Sequence, residues 1–152
     1  MDSIQKQRKN EAAKSYRVSH RILLGLCVFV AAGALGGGGM AVVQPSGALM
    51  SAQALIPVLH EIPLVGQYIN SLLIPGLVLL VFVFIPHLIA VILLFKTHTK
   101  QYFASIICGA LLIAVTTGEV ILLGSNFLSW LYCAFGAIEI ILSFSILLTR
   151  HS

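Results

Sequence analysis

Three ionisable side chains lie inside long apolar runs: His87, Glu119 and Glu139. A charged group at the centre of a membrane helix costs about 2.5–3.5 kcal/mol on insertion scales, so such residues mark proton, ion or ligand paths by default. His87 follows Pro86, whose missing N–H should kink its helix and free a carbonyl near Phe82. An imidazole beside a freed carbonyl makes a local polar spot. No Lys or Arg lies within these runs to neutralise the acids. Each carboxyl is therefore expected to keep its proton unless a cation or His87 pairs with it. Two roles stay open for the acids. One is a structural acid hydrogen-bonded to Tyr132 or Thr116. The other is an acid that handles protons or cations. His87 has the same pair of readings: a neutral imidazole bonded to a neighbouring helix, or a transport step.

Each acid sits on a polar stripe. Ser105, Cys108, Leu112, Thr116 and Glu119 recur at three-four spacing, as do Ser129, Tyr132, Gly136, Glu139 and Ser143. That spacing marks one side of a helix. Lipid does not tolerate polar stripes, so the two are expected to face each other or a shared interior. From the helix rise, Glu119 lies about 9 Å and Glu139 about 20 Å below one end of the bundle, while His87 lies about 13 Å above the other. These depths read as outer, middle and inner-middle levels.

The elements that carry these residues are membrane spans. Of 152 residues, 59% are hydrophobic and only 9% charged, with a mean hydropathy of +1.01. Such a chain cannot build the charged shell of a soluble domain. Four stretches reach the roughly 20 apolar residues that a span requires: 22–43, 72–95, 102–124 and 127–149. The expected fold is all-α: one polytopic transmembrane domain (21–150), an antiparallel bundle of four helices, behind a basic tail (1–20). Gln5 to Arg17 has helical potential, and the tail's basic residues suit topogenesis or attachment to anionic lipid. Ile22 to Val30 with Ala32-Gly33-Ala34 resembles a signal peptide, but the apolar run continues well past that point.

Between the first two spans, 44–71 is too apolar to hang in water. It is expected to hold a short helix over 51–59, capped by Ser51. Leu55, Leu59 and Ile62 would share a face laid on the interface or the bundle mouth. His60 and Glu61 are adjacent and point about 100° apart on a helix. That suits a polar anchor better than a metal or acid–base site. Pro75 falls in the first turn of the second span, where its missing N–H costs little. Gly124-Ser125-Asn126 predicts a tight turn.

Gly33, Gly36 and Gly37, with Ala32, give the first span a small-residue face of the GxxxG kind. Packing within the bundle is the expectation, with a homo-oligomer seam as the alternative. The glycines form no phosphate cradle, since no strand precedes them and no Lys follows. Cys27, Cys108 and Cys133 all fall in apolar runs without metal-type spacing and read as small buried hydrophobes. No cofactor motif, metal cluster or catalytic constellation is visible.

The formal charge is +4. Lys6, Arg8, Lys9, Lys14, Arg17 and Arg21 precede the first span, Lys96 and Lys100 lie in the second loop, and Arg150 lies at the end. This is an orientation signal and no nucleic-acid footprint. It predicts that both termini are cytoplasmic in a cell-membrane protein. Tyr16, Tyr102 and Phe103 would then line the inner interface, and Tyr68, Phe127, Trp130 and Tyr132 the outer.

The runs Gln44-Pro45-Ser46-Gly47-Ala48-Leu49, Asn70-Ser71-Leu72-Leu73-Ile74-Pro75-Gly76-Leu77, and Gly118-Glu119 through Trp130-Leu131 resemble small four-helix bacterial membrane proteins of unassigned function. The resemblance covers most of the chain beyond the tail. It implies four spans and transfers no functional residue.

Three functions fit these readings. The first is a non-catalytic membrane component that packs with a membrane protein partner or with itself. The second is a proton- or cation-linked transporter or channel using Glu119, Glu139 and His87. The third is an intramembrane enzyme acting on lipid, for which two carboxylates could serve as acid and base. Apart from such a partner or a second copy, the lipid bilayer is the one partner expected.

Overall fold

An apolar segment in lipid must satisfy its backbone internally, which leaves helix as the local solution for these runs. The structure, a computed structural model, describes residues 2–48, 55–61, 71–96, 100–123 and 127–151. Those residues form helices α1 (Asp2–Val43), α2 (Leu55–His60), α3 (Leu73–Leu79), α4 (Ile85–Phe95), α5 (Gln101–Leu123) and α6 (Phe127–His151). A π-helical turn, Leu80–Phe84, joins α3 to α4. Among the described residues there is no strand.

Four stretches are long and apolar enough to cross a membrane: Lys14–Val43, Leu73–Phe95, Gln101–Ile121 and Phe127–Leu148. The chain is thus a multi-pass helical membrane protein. The first span shows no break near residue 20. The expected helix in the tail and the expected span are one rod from Asp2, and the side chain of His20 is already part of the bundle.

The break expected at Pro86 takes the form of the π turn. The Ile85 N–H reaches back to the Leu80 carbonyl, one residue further than in an α-helix, and Pro86 opens α4. A π turn re-satisfies backbone groups that a proline strands, and such turns are frequent at functional sites.

The helices pack in a ring: α1 against α3 and α4, α4 against α5, α5 against α6, and α6 against α1. Glycines set the closest crossings. A Cβ built on Gly76 would lie 2.7 Å from Ala41 Cβ and 3.0 Å from the Gly38 carbonyl. At the α5–α6 crossing, a Cβ on Gly109 would lie 2.6 Å from the Gly136 carbonyl, and one on Gly136 would lie 2.7 Å from the Gly109 carbonyl. Close backbone approach is how helices associate where lipid removes the hydrophobic drive.

Gln44 to Ala48 turns the chain out of α1, with Gly47 at φ 74°, a left-handed conformation that glycine adopts without strain. The Leu72 N–H donates to the Pro45 carbonyl at 2.9 Å, tying the start of α3 to this turn. Leu59 of α2 packs on Ala41 and Leu72, so α2 covers that mouth of the bundle. His60 and Glu61 are exposed. Ser51, Ile62, Tyr68 and the turn expected at 124–126 lie outside the described residues.

Candidate functional site

Pro86 and the π turn orient His87. With the local ladder shifted, the imidazole Nδ1–H donates to the Val83 carbonyl at 2.7 Å. The polar spot expected near Phe82 is observed as this bond to the Val83 carbonyl. A carbonyl can only accept, so this bond fixes the proton on Nδ1. Nε2 then points across the bundle to Glu139 Oε2 on α6, 3.3 Å away. Both side chains are 0% exposed.

Donor and acceptor chemistry constrains the pair further. An imidazole with its proton on Nδ1 has a bare lone pair on Nε2, and an ionised carboxylate offers only lone pairs. Two lone pairs facing each other in a dry interior repel. One proton must therefore sit between Nε2 and Oε2, as Glu–COOH with neutral His or as Glu–COO⁻ with imidazolium. Either arrangement is neutral overall.

All four spans surround it. From α1, the Cys27 thiol stands beside Ser105 and Glu139. From α5, Ser105 is wholly buried and Cys108 nearly so. From α6, Ser143 lies one turn from Glu139 and is also wholly buried. Glu139 Oε1 and Ser143 Oγ have no hydrogen-bond partner, so the carboxyl keeps one acceptor free inside the protein. Cys27 and Cys108 fall in the expected core, but their surroundings are polar on one side. The notable omission from the sequence reading is Cys27. Its three-four spacing with Leu23, Val30 and Ala34 was the available signal. With Ala31 and Ala41, those four are α1's buried hydrophobic residues.

The other singled-out residues fall elsewhere. The stripes on α5 and α6 do face inward: Ser105, Cys108, Leu112 and Thr116 are buried, as are Ser129, Gly136, Glu139 and Ser143. Glu119 is half-buried near the far end of α5, away from the pair, and among the described residues no hydrogen bond reaches it. The Thr116 hydroxyl donates to its own helix, at the Leu112 (2.8 Å) and Ile113 (3.1 Å) carbonyls. The Tyr132 hydroxyl lies over Gly33, 2.9 Å from where a Cβ would stand. Neither is the partner of Glu139. A Cβ built on Gly37 would lie 3.5 Å from Leu79, and one on Gly36 would meet nothing within 4 Å.

His87 and Glu139 are expected at separate inner-middle and middle levels; their 3.3 Å contact puts them at one level instead, because depths counted from opposite ends of the bundle carry the error of both span limits. Tyr102, expected at the interface, is fully buried. Phe103, Phe127 and Trp130 are exposed on the outside, where lipid would meet them. Among the described residues no group of three His, Cys, Asp or Glu could hold a metal ion.

No protein-family model matches the chain, and no curated protein or solved structure matches it.

Proposed function

We propose that this protein is a proton-linked transporter or channel of the cell membrane, with the His87–Glu139 pair as its proton-holding site. The carrying observation is the Val83 carbonyl on Nδ1. It leaves Nε2 facing a carboxyl with one proton to share and a free oxygen, Oε1, to pass it on. A merely structural acid has no use for that free oxygen. Glu119 belongs to the far mouth, as a second polar station rather than a member of the pair. The basic residues of the tail, the second loop and the end place both termini in the cytoplasm under the positive-inside rule.

A second reading has its own support. A wholly buried pair reached from all four helices can also pin their register, as buried polar groups do in some bundles. That would suit a non-catalytic component packed with a partner. The lipid-acting enzyme draws no support. The Nε2 atom that would take a nucleophile's proton is already engaged by Glu139, and the pair is closed to solvent and lipid.

Proton flux into vesicles containing the purified protein separates the two readings. Glu139→Gln keeps a hydrogen-bond donor for Nε2 but has no proton to exchange. The expected result is a folded variant with no flux above protein-free vesicles. Full flux from the folded variant would reject proton handling at this site. Loss of folding would favour the register role.

A further inference from the structure

Resting on that reading, we infer that the buried pair exchanges its proton with one end of the bundle only, the end where α1 enters, through a string of side chains headed by Tyr102. The string begins at a hydrogen-bonded cluster. The Tyr102 hydroxyl donates to the Tyr16 hydroxyl at 2.9 Å. With its own proton engaged there, Tyr102 accepts from His20 Nδ1 at 3.2 Å. Tyr102 is fully buried, whereas Tyr16 and His20 are half-buried, and Arg17, Arg21, Lys96 and Lys100 are exposed at the same end. The cluster thus joins the polar surface to the interior.

Ser105 follows Tyr102 by one helical turn on the same buried face, a spacing at which side chains are neighbours. Its hydroxyl donates to the Gln101 carbonyl at 3.1 Å. The Cys27 thiol stands beside Ser105 at one side and Glu139 at the other. Leu23, Cys27, Tyr102 and Cys108 belong to one packed cluster, so no lipid intervenes. The carboxyl then offers Oε1, buried and without a partner.

Delivery requires the Tyr102 and Ser105 hydroxyls to turn from the Tyr16 hydroxyl and the Gln101 carbonyl toward the interior; each hydroxyl or thiol then passes its own proton inward and takes one from its outer neighbour. One proton enters at Tyr16 or His20 for each one delivered to the pair. No bond other than O–H, N–H and S–H changes, and no redox partner is involved. The titratable groups around the route are Cys27 on α1, Cys108 on α5, and His87 and Glu139 themselves, with Ser105 and Ser143 as the neutral donors beside them.

Toward the opposite end the pair meets an apolar layer. Immediately beyond His87, Val30, Ala34, Val83 and Leu112 form a buried apolar layer, with Leu79, Phe84, Val115 and Phe135 packed against it. The Tyr132 hydroxyl, which borders this layer, lies against Gly33. Among the described residues, the eight apolar side chains of that layer carry no group that can exchange a proton.

Deuterium exchange at the Glu139 carboxyl tests this. The full chain in lipid vesicles is moved into D2O, and the carboxyl infrared band that vanishes in Glu139→Gln is followed in time. Tyr102→Phe keeps the ring and removes the hydroxyl. It should slow exchange on the order of a hundredfold, the low end of what a positioned proton donor contributes. Ser105→Ala should slow it similarly and Ser105→Thr should restore it, while Tyr132→Phe leaves it unchanged. Backbone amide exchange, read in the same spectra, should stay constant across the set. Unchanged exchange in folded Tyr102→Phe and Ser105→Ala would overturn the route. Equal slowing by Tyr132→Phe would overturn its one-sidedness. If the unmodified protein shows no exchangeable Glu139 band, the proposed function falls first and the route with it.

Discussion

At the scale of residues, the argument turns on one histidine whose tautomer is set by its own helix. The Val83 carbonyl holds the Nδ1 proton, and everything asked of Glu139 follows. Substitutions at position 139 should therefore split stability from proton chemistry. Glu139→Gln presents an N–H to Nε2 and should melt within about 1 kcal/mol of the parent, because it replaces one hydrogen bond with another. Glu139→Ala leaves Nε2 without a donor and should cost about 1–2 kcal/mol, the scale of an interhelical hydrogen bond in a membrane. Chemical denaturation in mild detergent reads both. A Gln variant as weak as the Ala variant would mean that the pair's ionic form, rather than a hydrogen bond, holds the helices together. The acids and His87 were legible in the sequence because ionisable residues are rare in such runs. Their pairing was only one of two alternatives there, because spacing along one helix does not say which groups on another helix it meets. Cys27 was invisible as a site residue for a related reason. A thiol in an apolar run looks like any small hydrophobe until a carboxyl is placed beside it.

At the scale of elements, span limits were readable within a residue or two for the second, third and fourth helices. Continuous apolar length and turn residues bound them. The rotation of each helix was readable only where polar groups marked a face, as on α5 and α6. The first span is apolar or glycine on every side, so the three-four recurrence of Leu23, Cys27, Val30 and Ala34 did not stand out from its neighbours. The short spacing of Gly33, Gly36 and Gly37 drew attention to one face, yet the tightest crossings are Gly38 with Gly76 and Gly109 with Gly136. Alanine at Gly109 should force the backbones of α5 and α6 apart and cost about 1–3 kcal/mol, as overpacking does. Alanine at Gly36, with open space around it, should be neutral or mildly stabilising given alanine's helix preference. Thermal melts of the two variants in one detergent check this. Equal melting points would mean that the crossing is looser than described. The π turn before Pro86 was half legible: proline announces a break, but a kink and a π turn place the freed acceptor one residue apart.

At the scale of the whole molecule, four helices surround a wet-chemistry centre that neither water nor lipid touches. Toward the basic end, Ser105 and Tyr102 are buried on the same side as the pair; beyond His87 comes a buried apolar layer, with Tyr132, Thr116 and Ser129 at or past its edge. In the proposed route that asymmetry gives the proton a direction. It also explains why fold class was so easily read and function so little. Hydropathy reports the solvent that a chain lives in, whereas the site is made by side chains from four separate runs meeting at one level. The central claim is that a single proton is shared between His87 Nε2 and Glu139 Oε2. Solid-state NMR on bilayer samples with labelled histidine nitrogens and glutamate carboxyls measures it directly. The expected result at neutral pH is a protonated Nδ1 at His87 together with one proton on either Nε2 or the Glu139 carboxyl. In Glu139→Gln, Nε2 should read as an unprotonated acceptor. A bare Nε2 facing an ionised Glu139, or a proton on both atoms at once, would contradict the account.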